Sequence, residues 1–186
     1  MRVFAGVLAV IGVAVIALAI IFVRGHTSGG TSGSGLAGKY PFQVGQPGPG
    51  QVALPITLPA TDGTTFDLGS LHGQTGLLFF QEGVGCQPCW DQIKDVEQNF
   101  SQFQALGIDK FVSITTDPLS ALKQKVADEH LSTPVLSDST MRVSRIYHAN
   151  NYGMMGDQMD GHSFVLVNKD GTVAWRADYG GAPKYT

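Results

Sequence analysis

The feature that most constrains the fold of this chain is a pair of cysteines placed just after a short apolar run. Residues 77–80 are uncharged and apolar, as expected of a strand buried on both faces. After Cys86 and Cys89, apolar residues recur at spacings of three and four as far as Leu106, which is the pattern of an amphipathic helix. Gly107 is a suitable end for that helix. The cysteines are therefore predicted to lie at the turn between a central strand and a helix.

This position favours redox chemistry for Cys86 and Cys89. Backbone N–H groups at a helix N-terminus favour a thiolate, and such settings lower a cysteine pKa from about 8.5 to between about 3.5 and 7.5. The chain has no other cysteine, and a disulfide that closes so short a loop adds little stability. Two inert buried thiols, or half of a zinc site that would need two further ligands, are less favoured alternatives.

The rest of the domain alternates strands with helices. Asp62-Gly63 predicts a hairpin turn, and Asp117 before Pro118 predicts an N-cap and the first turn of a helix that runs to Glu129. The predicted order is a β-hairpin, β, α, β, α, β, α, and a closing hairpin, with strands at 56–58, 65–68, 77–80, 111–114, 133–136, 163–167 and 172–175. This order indicates an α/β three-layer sandwich whose central sheet is mostly parallel, with an antiparallel edge hairpin.

The N-terminus predicts a membrane anchor ahead of this domain. Residues 3–23 are 21 consecutive uncharged, apolar residues, which as a helix would span about 30 Å. We expect residues 1–24 to be a transmembrane signal-anchor, residues 25–50 a flexible Gly/Ser/Pro linker, and residues 51–186 one domain. One anchor followed by one domain predicts a single-pass protein of the cell membrane with its C-terminal domain outside the cytoplasm. A cleaved signal peptide is the alternative.

The charge balance argues against nucleic-acid binding. After residue 26 the chain holds 10 of its 12 Lys and Arg residues and all 15 Asp and Glu residues, a formal net charge of −5. No basic stripe is present. The sequence predicts no cofactor.

Four segments together carry a resemblance to a known family. They are ITLPATDGTTFDLGSLHGQTGLLFF, CQPC, TPVLSD with the following VSRIYH, and SFVLVNKDGTV. In this order they resemble the thioredoxin superfamily, and within it the redoxin branch. That branch includes the alkyl hydroperoxide reductase/thiol-specific antioxidant family and membrane-anchored thiol-disulfide oxidoreductases of the TlpA and ResA kind. The resemblance covers about residues 47–180 and implies a thioredoxin-like fold. That fold usually ends in a further helix, and we expect this helix to be missing here.

The resemblance implies roles for the residues of the CQPC segment. Cys86 matches the attacking cysteine, Cys89 the resolving cysteine, and Pro88 the proline that often precedes the second cysteine. The implied substrate is a protein or small-molecule thiol or disulfide.

Three positions depart from the patterns of the subfamilies. Peroxiredoxins have Pro and Thr at the positions of Phe79 and Gly83. Thioredoxins have a cis-proline, and peroxiredoxins often an arginine, near the position of Gly161. With CQPC intact, these departures favour thiol–disulfide exchange, while a peroxiredoxin-like thiol peroxidase with antioxidant activity stays open as the alternative.

Two supporting residues lie close to the cysteines in sequence. Glu82 could be a buried carboxylate that carries a proton during exchange, although a solvated loop acid is the preferred interpretation. Trp90 is interpreted as a core residue of the helix rather than a platform for substrate.

The segment from His148 to His162 contains three methionines, at positions 154, 155 and 159. Methionine with histidine suits copper, and Sco-type copper chaperones share the thioredoxin-like fold. A copper-binding module that uses Cys86, Cys89 and His162 is therefore a further alternative. A methionine-lined loop that packs, or contacts a protein partner, beside the cysteines is the favoured interpretation.

Overall fold

The computed structural model describes residues 42–180. The predicted transmembrane segment, most of the predicted linker and residues 181–186 lie outside this range. Within it, no helix is both long enough and apolar enough to cross a membrane.

The described chain forms seven strands and four α-helices. In order they are β1 (Thr57–Pro59), β2 (Thr65–Asp67), β3 (Gly76–Phe80), α1 (Gln87–Gln98), α2 (Phe100–Ala105), β4 (Lys110–Thr115), α3 (Leu119–Glu129), β5 (Val135–Ser137), α4 (Arg142–Ile146), β6 (Ser163–Val167) and β7 (Val173–Asp178). Short 3-10 turns occupy Leu68–Leu71, Ala149–Tyr152 and Gly156–Gln158. The order matches the sequence prediction, except that the helix predicted up to Leu106 is divided in two at Asn99.

The central sheet has the strand order β5-β4-β3-β6-β7. Strand β3 pairs in parallel with β4, and β4 with β5, whereas β3–β6 and β6–β7 are antiparallel pairs. The prediction of a mostly parallel sheet is therefore wrong, because half of the pairings are antiparallel. The closing hairpin does not merely seal an edge, since its first strand is the direct neighbour of the central strand β3.

Strand β3 separates two apolar cores. All five of its residues are buried, and consecutive side chains point to opposite faces of the sheet. Leu78 and Phe80 pack in the core that contains the β1–β2 hairpin and α4. Leu77 and Phe79 pack in the core that contains both cysteines and α1. This arrangement gives the predicted three layers and explains why the strand shows no polar alternation.

The folded region begins on the N-terminal side of residue 51. Gln43 and Asp178 exchange two backbone hydrogen bonds of 2.9 Å, and Gly45 N–H donates to the Asp178 carboxylate. Arg176 is 1% exposed, forms a salt bridge with Asp178, and donates to the carbonyl oxygens of Pro47 and Tyr147. The buried Arg176–Asp178 pair thus attaches residues 43–48 to β7.

Candidate active site

The two cysteines lie at the junction that the sequence predicts. Cys86 is the residue immediately before α1, and Pro88 stands in the first turn of the helix. The Cys89 backbone N–H donates to the Cys86 carbonyl oxygen, so both cysteines belong to one tight turn. They form a disulfide with a Cα–Cα distance of 5.4 Å. Cys86 is 9% exposed, whereas Cys89 is fully buried, so the two sulfurs differ in access.

Cys86 opens onto a groove of about 400 Å³, which we call the methionine groove. Its lining residues are Glu82, Gly85, Cys86, Pro88, Met154, Met155 and Met159. Met154 and Met155 are 60% and 65% exposed, which is unusual for large apolar side chains. The prediction of a methionine-lined loop beside the cysteines is confirmed in its placement. A substrate that reaches Cys86 would contact mostly apolar and thioether groups.

Glu82 lines the same groove. It is only 8% exposed, so its interpretation as a solvated loop acid is wrong. Burial raises the pKa of its carboxyl, although the hydrogen bond from the Met154 backbone N–H partly offsets this. A carboxyl with a raised pKa exchanges its proton closer to neutral pH than an ordinary glutamate does.

Trp90 holds the cysteine turn in place from the core. Its side chain is fully buried in the core on the α1 side of the sheet, as predicted. Its indole N–H donates to the Gly83 carbonyl oxygen at 3.0 Å. Lys125 from α3 lies 5.6 Å from the centre of the indole ring and donates to the Gln87 side chain. Trp90 therefore packs in the core and positions the turn, and its ring is not available as a platform for substrate.

Asp117 belongs to this site, although the sequence predicts it only as a helix cap. Its carboxylate accepts a hydrogen bond from Val84 N–H at 2.8 Å and one from the Thr115 hydroxyl at 3.1 Å. It makes no cap contact with α3, whose preceding residue is Pro118. The carboxyl ends of parallel β3 and β4 meet at one edge of the sheet, and this rule could have placed Asp117 beside the cysteine turn.

The backbone at Gly83 depends on this contact. Gly83 has a φ of +96°, and a Cβ placed there would lie 1.9 Å from the Asp117 carboxylate. A threonine, as found at this position in peroxiredoxins, would require the Asp117 carboxylate to move and would be strained at this φ.

Gly161 is enclosed in a similar way. A Cβ on it would lie 2.3 Å from the backbone carbon of Tyr152. The 3-10 turn Ala149–Tyr152 therefore fills the space that a proline or arginine side chain would need, and Gly161 contributes its backbone alone.

His162 reaches the buried cysteine. Its Nδ1 lies 3.7 Å from the Cys89 Sγ, and its side chain is fully buried. Burial lowers the pKa of His162 from 6.5 to about 3, so the imidazole is neutral at pH 7. The sequence suggests His162 only as a copper ligand, because 73 residues separate it from Cys89. Among residues 42–180, no group of three or more His, Cys, Asp or Glu side chains is arranged to hold a metal ion.

A second buried carboxyl lies close to His162 in the chain. Asp160 is fully buried, and burial raises its pKa from 3.8 to about 8. The Ser144 hydroxyl lies within hydrogen-bond distance of both Asp160 and Asp138, at 3.0 and 2.8 Å. A protonated Asp160 can donate to the Ser144 hydroxyl, and that hydroxyl can donate to the Asp138 side chain.

Comparison with known proteins agrees with this geometry. The sequence profile of the AhpC/TSA family matches residues 49–176. The chain is 28% identical over 130 residues to a Mycobacterium tuberculosis protein named "Putative peroxiredoxin Rv2521", a match that covers 67% of this chain and 81% of that protein.

Solved structures share the fold at low sequence identity. Peroxidoxin BcpB from M. tuberculosis superimposes with a TM-score of 0.62 and 20% identity, covering 71% of this chain and 86% of that one. A mutant of PrxQ from Xylella fastidiosa gives a TM-score of 0.63 and 14% identity, covering 77% and 89%. The matched profile and the thioredoxin-like fold lead to one assignment: the chain belongs to the AhpC/TSA redoxin family of the thioredoxin superfamily and is a thiol oxidoreductase of that family.

Proposed function

We propose that this protein is a thiol–disulfide oxidoreductase in which Cys86 exchanges with substrate and Cys89 resolves the intermediate. The observation that carries the proposal is the unequal access of the two bonded cysteines. Cys86 borders the methionine groove at the N-terminus of α1, whereas Cys89 is fully buried beneath it. Positive partial charge at the start of a helix stabilises the Cys86 thiolate, which is the attacking species.

The reaction balances without any further reagent. The Cys86 thiolate attacks one sulfur of a substrate disulfide, forms a mixed disulfide and releases the other sulfur as a thiolate. The Cys89 sulfur then attacks Cys86, which forms the Cys86–Cys89 disulfide and releases the second substrate thiolate. The substrate gains two electrons and the protein loses two. The reverse sequence oxidises a substrate dithiol, and the reduction potential of the pair decides the direction.

Exchange is preferred to peroxide reduction because of the residues around Cys86. Gly83 and Gly161 offer no side chains to a peroxide, and the Asp117 carboxylate and the Tyr152 backbone occupy the space beside them. The apolar surface of Met154 and Met155 suits an apolar segment of a protein disulfide.

A thiol peroxidase is the second candidate, and the family match favours it. The chain fits the AhpC/TSA profile, and a relative that is 28% identical to it carries the name "Putative peroxiredoxin Rv2521". In this reaction the Cys86 thiolate would attack a hydroperoxide, releasing an alcohol or water and leaving a sulfenic acid. The Cys89 thiol would then condense with it, forming the disulfide and releasing water. Stopped-flow oxidation of the reduced protein by a hydroperoxide, no faster than that of free cysteine, would exclude this candidate.

The two cysteine variants test the leading proposal. Cys86→Ser is expected to abolish the reduction of a model protein disulfide. Cys89→Ser is expected to form a mixed disulfide with substrate that is stable to gel electrophoresis under non-reducing conditions. If Cys86→Ser retains the turnover of the unmodified protein, the assignment of Cys86 is wrong.

We assign Glu82 the role of a proton carrier on the Cys86 side. It borders the same groove, and burial raises its pKa. Glu82→Gln is expected to change the pH dependence of the first exchange step, in which Cys86 attacks. A pH profile identical to that of the unmodified protein would exclude this role.

We further propose that residues 3–23 tether the domain to a membrane, with the domain outside the cytoplasm. Support comes from the length and apolar character of this segment. The full chain is expected to stay in the membrane fraction after alkaline carbonate extraction and to be cleaved by protease added to intact cells. Release of the full-length chain into the carbonate supernatant would contradict the tether.

A further inference from the structure

His162 is held rigidly against the buried cysteine. Its ring packs edge-on against Phe79 and Phe164, with centroid distances of 4.5 and 5.8 Å. Its backbone N–H donates to the Gly180 carbonyl oxygen, and its own carbonyl oxygen accepts from Tyr179 N–H at 2.9 Å. These contacts fix the imidazole in one orientation, with Nδ1 directed at the Cys89 sulfur 3.7 Å away.

Cys89 needs a proton partner in either direction of the exchange. It must lose its thiol proton to attack the mixed disulfide, and it must regain a proton after it leaves as a thiolate. Cys89 is fully buried in an apolar core. Such a setting disfavours a thiolate, because burial raises the pKa of a thiol. A neighbouring base removes this obstacle, because the thiolate then forms together with the transfer of its proton.

We propose that His162 is a catalytic residue whose Nδ1 takes the proton of the Cys89 thiol during resolution and returns it in the reverse reaction. The proposal rests on the proposed thiol–disulfide exchange and extends it by a named acid–base group. In the step itself, the S–H bond of Cys89 breaks, an N–H bond forms at Nδ1, and the Cys89 sulfur bonds to Cys86. The bond from Cys86 to the substrate sulfur breaks, and the released substrate thiolate keeps the electron pair.

The electrostatics of the pocket agree with this role. In the disulfide state the imidazole is neutral, because burial lowers its pKa to about 3. In the reduced state, a thiolate at this distance favours the imidazolium, since opposite charges within about 4–6 Å stabilise each other. Burial is the cause of the lowered His162 pKa. Asp160 lies on the same loop, but burial raises its pKa, so it keeps its proton, and it contacts Ser144. Glu82 lines the methionine groove.

The experiment separates the two chemical steps in single-turnover mode. The reduced protein is mixed with excess dithiobis(nitrobenzoate), a chromogenic aromatic disulfide. Attack by Cys86 releases one coloured thiolate in a first phase, and resolution by Cys89 releases the second in a slower phase. His162→Phe keeps the aromatic packing and removes the base. His162→Asn keeps a hydrogen-bonding group near the Nδ1 position without its basicity.

The matched control is His148→Asn. His148 is exposed and has a φ of +53°, a region that asparagine tolerates, so this variant makes the same chemical change away from Cys89. It should leave both phases unchanged.

The expected result is selective for the second phase. His162→Phe should slow that phase about 100-fold at pH 7, in line with general-base contributions of about 10²–10⁴-fold. The first phase should keep its rate. The difference in second-phase rate between His162→Phe and the unmodified protein should narrow as the pH rises, because the Cys89 thiolate then forms without a base. The unmodified protein should also show a solvent deuterium isotope effect on the second phase, and this readout needs no variant to fold.

Three outcomes would overturn the proposal. They are an unchanged second phase in both His162 variants, an equal slowing of both phases at every pH, and the absence of an isotope effect on the second phase. A different result marks failure of the proposed exchange itself: the unmodified protein and Cys89→Ser would then release the second thiolate at the same rate.

Discussion

Replacing Gly83 with alanine tests whether the cysteine turn requires a position without a side chain. Gly83 has a φ of +96°, and its Cβ would lie 1.9 Å from an Asp117 carboxylate oxygen and 3.0 Å from the Thr115 hydroxyl oxygen. Asp117 would have to move, and the Val84 N–H would lose the partner that now lies at 2.8 Å. The variant is therefore expected to lower the free energy of unfolding.

The magnitude follows from three contributions. A side chain at this φ costs about 1–3 kcal/mol. Loss of the Val84–Asp117 hydrogen bond costs about 0.5–1.5 kcal/mol. The smaller backbone freedom of alanine in the unfolded chain returns about 0.4–1 kcal/mol. The net loss is about 2 kcal/mol, which lowers the melting temperature of a domain of this size by roughly 4–8 °C.

Urea unfolding of the oxidised protein, followed by far-UV circular dichroism, measures this loss. Gly85→Ala is the matched control, because a Cβ at Gly85 meets no atom within 4 Å, and its effect should stay within about 0.5 kcal/mol. In an Asp117→Ala background, Gly83→Ala should cost about 1 kcal/mol less, since the carboxylate no longer obstructs the methyl group. If Gly83→Ala and Gly85→Ala have the same free energy of unfolding, this reasoning is wrong.

Three further predictions concern buried ionisable groups. Asp160 keeps its proton up to a pKa of about 8 in the native state but loses it above about pH 4 when unfolded, so its contribution to stability falls from pH 4 to pH 8. In urea unfolding, Asp160→Asn should gain stability relative to the unmodified protein as the pH rises from 5 to 8. A difference in unfolding free energy that does not change with pH would contradict this prediction. The native state leaves His162 neutral down to a pKa of about 3, whereas the unfolded chain protonates it below about pH 6.5, so stability is lost as the pH falls through this range. His162→Phe should flatten that acid limb, and an unchanged slope would count against it. Arg176→Met leaves the Asp178 carboxylate buried without its cation and should cost about 3–5 kcal/mol in thermal or urea unfolding; a cost below about 1 kcal/mol would show that the carboxylate is satisfied in another way.

Local patterns predicted most of the secondary structure. The apolar run at 77–80 and the helical spacing after Cys89 depend on short-range periodicity, and strand β3 and helix α1 form as this periodicity requires. The cysteine turn was predictable for the same reason. Asn99 interrupts the helix because its backbone leaves the helical region at φ −104°, ψ 12°, and the apolar spacing across it gave no sign of the break.

Contacts between distant segments were not predictable in this way. An antiparallel neighbour and a parallel neighbour require the same apolar character of β3, so the sequence could not show that β6 would pair with it in the antiparallel direction. The contact of His162 with Cys89 depends on that pairing. The burial of Glu82 depends on the loop that carries Met154, and a single acidic residue in a predicted turn gives no indication of such a cover.

The enclosure of Gly161 has a consequence for how this protein can change by mutation. The Tyr152 backbone stands where the first carbon of any side chain at position 161 would go. A single substitution of Gly161 by proline or arginine would therefore clash with the Tyr152 backbone, even if the new side chain would be useful in a loop reshaped to hold it. The turn at 149–152 has to be reshaped or shortened beforehand, which fixes the order of the steps. An engineer who wishes to add a cationic group beside the cysteines should begin with that loop and change residue 161 last.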